Sequence, residues 1–188
     1  ATIGGMGLTG IIGVVTLQLK RIKTAYMKVQ HKVTHSLEQI LESLGQDDEF
    51  EYSVAWLDAL NMPFSHGIIM KAKHADLIEL PIAKQKQAFS TPKYSSFNCP
   101  YSLSYSILHP LLVKLFNKAY YYYLARKDQA FLLAYHDYFF PLDRIRNWPR
   151  LYGKKGFIQY QCAIPTKFSH SAIKDILETL HKHKQPIY

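Results

Sequence analysis

Three groups of residues have types and spacings that could do chemistry. The first is the run Gly4-Gly5-Met6-Gly7-Leu8-Thr9-Gly10. Glycine admits positive φ and close backbone approach to a ligand, and the N–H groups of such a turn can face phosphate or ring carbonyl oxygens. The order is neither the GxGxxG of a dinucleotide turn nor the Gly-Lys-Ser/Thr ending of a P-loop, so alone it reads equally as a tight turn before a strand. The second group is Gln159 and Gln161, two apart and therefore on one face of an extended segment. With Trp56 and Tyr160 they could hydrogen-bond a sugar hydroxyl or a ring carbonyl, or form a plain exposed polar face. The third is the set of 9 histidines, none in an HExxH arrangement. His181 and His183, with His170, fall on a helix whose end favours imidazolium through its dipole, and they read as solvated side chains rather than metal ligands. No GxSxG elbow is present, and Asp47-Asp48-Glu49 with Glu51 reads as a solvated connection rather than an acid–base pair.

The elements that must position these groups follow from periodicity and punctuation. Ile11 to Leu19 and Tyr26 to Val33 are predicted strands, the first rich in β-branched residues. Ser36 with Gln39 forms a capping box for a helix whose face is Leu37, Ile40, Leu41 and Leu44, and Gly45 stops it. Glu51 to Leu57 and Gly67 to Lys73 are further strands, with a turn at Asn61-Met62-Pro63 between them. Residues 81–106 hold Pro81, Pro92 and Pro100 and read as irregular chain. Leu111 to Leu124 reads as helix that gives way to strand at Tyr120-Tyr121-Tyr122-Tyr123. Gln129 to Phe140 and Gly156 to Ile164 read as strands, with a loop from Pro141 to Lys155 between them. A last helix starts at Ser169, presents Ile173, Ile176, Leu177 and Leu180, and stops before Pro186, after which Ile187-Tyr188 begins another strand. Strands in runs with two packing helices predict an α+β fold, a largely antiparallel sheet with helices packed on one face. The chain reads as beginning and ending inside structure, as a cut or proteolysed piece would.

The 188 residues carry 48% hydrophobic and 20% charged side chains and a net charge of +9. That balance favours anionic partners, but the 23 Lys and Arg are scattered, which argues against a nucleic-acid surface. No run approaches the roughly 18 apolar residues of a membrane span, and the apolar start lacks a basic leader region. Cys99 and Cys162 form no CxxC pair and are expected to be free thiols, and no metal site is expected.

Together these motifs resemble one family. Gly4 to Ile12 is similar to the last loop of the flavin-binding domain in vanillyl-alcohol-oxidase-type FAD-linked oxidases. Tyr52 to Ala59, with Trp56 at its centre, resembles a segment of the decaprenylphosphoryl-ribose oxidases. Phe139-Phe140-Pro141-Leu142-Asp143, Trp148, Arg150, Leu151-Tyr152-Gly153 and Gly156 to Pro165 resemble later segments, in the same order and at similar spacing. Phe139-Phe140 stands where the family has Tyr-His, and Pro149 where it has Asn. The resemblance implies that residues 1–20 end an FAD-binding domain and residues 21–188 form most of a substrate-binding (cap) domain. It implies an oxidase that takes hydride from the hydroxyl-bearing carbon of the sugar of a polyprenyl-phosphoryl ribose, in cell-wall polysaccharide synthesis. A short-chain reductase partner is implied, and so is a location in the cytoplasm or peripheral to the inner membrane, with possible membrane-surface contact. Gly7 and Ile12 would lie against FAD; Trp56, Leu142 and Gln161 would line the substrate pocket. The family's catalytic residues would lie outside this chain, which is therefore expected neither to hold FAD tightly nor to turn over alone. The alternatives are a related FAD-linked oxidase for an alditol, aldonolactone or sterol, or a non-catalytic module binding anionic lipid or nucleic acid.

Overall fold

The structure is a computed structural model; it describes residues 2–46, 49–60, 66–91, 96–102, 109–127, 129–154 and 156–183. Its centre is a four-stranded sheet made of β1 (Tyr26–Thr34), β2 (Tyr52–Leu57), β3 (Gly67–His74) and β5 (Phe131–Ala134), in the order β2-β3-β1-β5. All three pairings are antiparallel, as the runs of strands predict. Registers such as Val29↔Ala72 and Tyr52↔Ala72 put alternate side chains on common faces.

One face carries Met27, Val29 and Ala72, all buried, with Tyr52, Phe131, Leu133 and Tyr138 packed against them. Helix α3 (Pro110–Ala125) and the short α4 (Tyr135–Phe139) lie over this face, through Tyr120 against Trp56 and Phe139 against Tyr52. The opposite face carries Tyr26 in a second cluster with Ala75, Leu80 and Ala88. Helix α1 (Leu37–Gly45) is on that side, where Lys32 donates to Ser43 Oγ at 3.0 Å. Gly67 marks how close α1 comes. A Cβ there would stand 2.6 Å from Ile40 Cδ1 and 2.9 Å from Thr34 Oγ1. Helix α5 (Ser169–Lys182) packs on α1, joined to it by His170 Nε2 and Glu38 Oε1 at 2.9 Å.

The capping box at Ser36 forms as expected: Ser36 Oγ accepts from Gln39 N at 3.2 Å, and Gln39 Oε1 accepts from His35 N at 2.9 Å. The expected irregular stretch contains α2 (Ile82–Gln85) and β4 (Phe97–Asn98), which pairs in parallel with β6 (Ile145–Arg146). Buried Thr24, just before β1, donates to Ala75 O, just after β3, at 2.8 Å.

Four local expectations are corrected. Residues 11–19 form no strand, and Ile11, Val14 and Leu17 are exposed. β-branched content favours a strand only where a neighbour completes the hydrogen-bond ladder, and no described strand pairs here. Residues 156–164 are extended but unpaired for the same reason. The tyrosine run continues α3 rather than turning to strand. Val113, Asn117 and Leu124 are its buried stripe, so burial at helical spacing outweighs the small helix penalty of tyrosine. The stretch 129–140 is a strand only to Ala134 and then becomes α4. The expected turn at 61–63 and the features at 186–188 lie outside the described residues.

Candidate functional site

The chemistry-bearing surface grows from β2. Tyr52 and Trp56 are four apart on this strand, so both project to the face covered by α3 and α4. Tyr52 meets Phe139 edge-on with centroids 5.1 Å apart, and meets His74 at 6.0 Å. Trp56 meets Tyr120 edge-on at 5.4 Å, and Tyr120 stacks on Phe116 at 5.5 Å. Such pairs contribute roughly 0.5–1.5 kcal/mol each beyond area burial and hold the rings in definite orientations. The result is an aromatic wall built from one strand and two helices.

Its polar atoms are few. Tyr138 OH donates to Met70 O at 3.4 Å. Burial raises the pKa of Tyr138, with the nearby Tyr52 adding to it, and raises Tyr120 in the same way, so both phenols remain protonated donors at neutral pH. Beyond the wall, buried Asp58 accepts from Asn117 Nδ2 at 2.9 Å, which fixes α3 against the end of β2.

Leu142 lies in the 3-10 turn Pro141–Arg144 that directly follows α4. Arg144 clamps this turn: its Nε donates to Asp137 Oδ1 at 2.8 Å, and a second nitrogen stands 2.7 Å from Asp137 Oδ2. The Arg144 guanidinium holds the Asp137 carboxyl below its ordinary value. Phe139, three residues before Leu142, abuts Tyr52, which lies four residues along β2 from Trp56. Leu142 itself is exposed.

Gln161 is exposed on the extended segment 156–165. That segment is anchored at its start, where Phe157 packs on Tyr152 at 4.3 Å and on Trp148 at 5.7 Å. Gly7 has φ +77° in a pair of tight turns closed by Gly5 N to Thr2 O (3.1 Å) and Leu8 N to Gly5 O (2.9 Å). Ile12 is half exposed. Ten residues beyond the glycine run, the Lys20 ammonium lies 5.9 Å from the Tyr52 ring centroid and pairs with Glu51. No hydrogen bond or ring contact among the described residues joins Gly7, Ile12 or Gln161 to Trp56 or Leu142. No group of three or more His, Cys, Asp or Glu among the described residues could hold a metal. Cys99 and Cys162 are free.

The sequence reading missed Tyr52, Tyr120 and Phe139. Tyr52 carried a usable signal, the even spacing to Trp56 along one strand. Tyr120 was hidden by reading the tyrosine run as strand, which obscured its i, i+4 relation to Phe116.

No protein-family model matches the chain. A curated relative does: decaprenylphosphoryl-beta-D-ribose oxidase of Mycolicibacterium smegmatis is 33% identical over 175 residues, 89% of this chain and 37% of the relative's length. The chain thus spans well under half of the protein it matches. That similarity supports the resemblance to the decaprenylphosphoryl-ribose oxidases over most of the chain. Over that stretch the chain is similar to decaprenylphosphoryl-beta-D-ribose oxidase.

Proposed function

We propose that this chain forms the substrate-side wall of an FAD-dependent oxidoreductase that oxidises a sugar hydroxyl, with a polyprenyl-phosphoryl ribose as substrate. The observation that carries the proposal is the aromatic wall on β2, α3 and α4, in a chain 33% identical to a decaprenylphosphoryl-ribose oxidase over 175 residues. A wall of rings with few polar atoms excludes water and packs against a sugar's apolar face, while one or two amides select hydroxyl positions.

The residues fit the cofactor at the glycine turn. Gly7 has φ +77°, with nothing within 4 Å of where a Cβ would stand, so its backbone is bare to a flat ring. In this reading Gly7 and Ile12 hold FAD, residues 1–20 belong to its domain, and residues 21–188 form the cap. FAD, when bound, supplies the hydride acceptor. Trp56 and Leu142 orient the sugar, and Gln161 hydrogen-bonds a hydroxyl. A short-chain reductase is the fitting partner, because a keto-sugar left by the oxidation needs hydride returned to complete an epimerisation.

The test uses the full-length protein that contains this chain. Flavin bleaching under anaerobic conditions is followed with a polyprenyl-phosphoryl ribose, an alditol, an aldonolactone and a sterol. The ribose conjugate should bleach the flavin fastest. Trp56→Ala and Gln161→Leu should each lower kcat/KM about tenfold, as loss of one ligand-wall contact does. Faster bleaching by a free alditol, or unchanged kinetics in both variants, overturns the reading.

A further inference from the structure

Helix α3 has a narrow seat on the sheet. Among the described residues its buried side chains are Val113, Asn117 and Leu124, with Tyr120 and Tyr121 half-buried beside them. Two aliphatic side chains about three turns apart resist rolling only weakly, and a step of one residue turns a helix by about 100°. At the centre of the stripe stands an amide. Asn117 is 1% exposed, and its Oδ1 accepts no hydrogen bond among the described residues. Apolar side chains at 117 and 58 would bury more apolar surface and orphan no oxygen, so stability alone does not account for this pair. What a buried amide supplies is direction, as a polar side chain in an apolar seam fixes register.

The direction is toward Asp58. Asn117 Nδ2 donates to Asp58 Oδ1 at 2.9 Å, and Asp58 follows directly on β2, two residues beyond Trp56. The same Oδ1 accepts from Leu60 N at 3.3 Å, and Asp58 N donates to His66 O at 3.0 Å, next to the start of β3. Asp58 is thus held by the strands before α3 meets it. The next turn of α3 sets Tyr120 edge-on to Trp56 at 5.4 Å and Tyr121 edge-on to His66 at 5.0 Å. Ring pairs tolerate centroid separations from about 4.5 to about 7 Å, whereas a hydrogen bond to a carboxylate is short and directional. We propose that Asn117 is a positioning residue for Trp56: by holding Asp58 it sets the rotation of α3, and Tyr120 carries that setting to the indole. The inference rests on the proposed function for the placing of Trp56 against the sugar, and it concerns only the buried side of α3.

The experiment uses the full-length protein that contains this chain, labelled with fluorotryptophan, at a temperature where circular dichroism shows every variant folded. Fluorine NMR reads the Trp56 line, assigned by its loss in Trp56→Phe, and steady-state kinetics with a polyprenyl-phosphoryl ribose gives kcat and KM. Asn117→Ala should shift or broaden the Trp56 line and raise KM about tenfold with kcat nearly unchanged. Tyr120→Ala should do the same, and Asn117→Ala/Tyr120→Ala should do no more than Tyr120→Ala alone, because one residue acts through the other. Thr24→Val, which removes a buried hydrogen bond to Ala75 O, should lower the melting temperature yet keep the parent's Trp56 line and KM. Should Asn117→Ala fail to fold, Asn117→Ser, with a hydroxyl too short to reach Asp58, carries the same test. A parent-like Trp56 line in the folded Asn117 variant overturns the inference. So do additive effects of the Asn117 and Tyr120 variants, or a change in Thr24→Val as large as that in Asn117→Ala. A moved line with KM unchanged in both Asn117→Ala and Trp56→Ala upholds Asn117 as the residue that sets Trp56 and overturns the proposed function instead.

Discussion

His31 is a half-buried imidazole on the central strand, edge-on to Phe131 at 5.1 Å, with Nδ1 3.4 Å from Leu124 O. Burial lowers its pKa from the ordinary 6.5, and the Lys127 ammonium adds to the effect. A base whose folded pKa is depressed binds its proton more readily when unfolded. Its contribution to stability is therefore complete above pH 6.5 and falls as the pH drops below that value. His31→Gln should flatten the loss of denaturation midpoint between about pH 7 and about pH 5.5, by under about 1 kcal/mol because half the ring faces water. An unchanged slope in urea melts at the two pH values would show that His31 is not the group responsible. Asp137 works in the other direction along the scale. Arg144 holds its pKa below 3.8, so the clamp is intact from neutral pH down to the ordinary carboxylate range and is lost as the pH falls further. Asp137→Asn should cost about 1 kcal/mol in equilibrium unfolding near neutral pH, the low end for a charged hydrogen bond because Arg144 is half exposed. On the proposed function it should also raise KM in the full-length protein, because the turn bearing Leu142 loosens.

Between elements, the tightest place is the junction of α1 with β3. Gly67 pairs with Thr34 on one neighbouring strand and with Leu57 on the other, and Ile40 sits directly above it. Gly67→Ala should destabilise by about 1–3 kcal/mol, the usual cost of overpacking, because the Trp56 carbonyl 3.1 Å away is backbone and cannot rotate aside. Thermal melting checks this, and Gly45→Ala, where a Cβ meets nothing within 4 Å, is the matched control. The legibility of the elements follows the same physics. α1 was readable because its cap, its apolar spacing and its stop are all local. β1, β2 and β3 were readable because short runs rich in β-branched, aromatic and other apolar residues are bounded by turn signals. The run Tyr120 to Tyr123 was not, since its state depends on Asn117 meeting Asp58 from 59 residues away. Residues 11–19 and 156–164 have strand composition, but a strand is decided by its neighbour and not by its own residues.

For the whole molecule, carboxylates that stitch distant segments set the acid response. Glu38 on α1 is held at about 2 by the hydrogen bond from His170 on α5, and Asp76 and Glu79 are lowered by Lys23 and Lys28. Each depressed carboxylate stabilises the fold above its ordinary value and ceases to do so as the pH falls toward its folded value. Stability should therefore hold from neutral pH to about 5 apart from the His31 slope, then decline steeply below about 4.5, a decline that salt makes shallower because these pairs are exposed. A titration by circular dichroism at two ionic strengths checks this. The candidate site was legible only in parts. Trp56 and the Leu142 segment could be named from their motifs, but the contact of Phe139 with Tyr52, which sets α4 against β2, is one that no local pattern reveals.

Arg150 draws the two ends of a long excursion together. Its guanidinium donates to Cys99 O at 3.1 Å and to Pro100 O, while Asn147 donates to Asn98 at 2.9 Å and β4 pairs with β6. Residues 97–100 and 145–150 therefore form one latch whose far side carries the Leu142 turn. Anything that displaces the strip around Cys99 must tug on that turn, so an event far along the chain can change the shape offered to a ligand without touching the ligand itself.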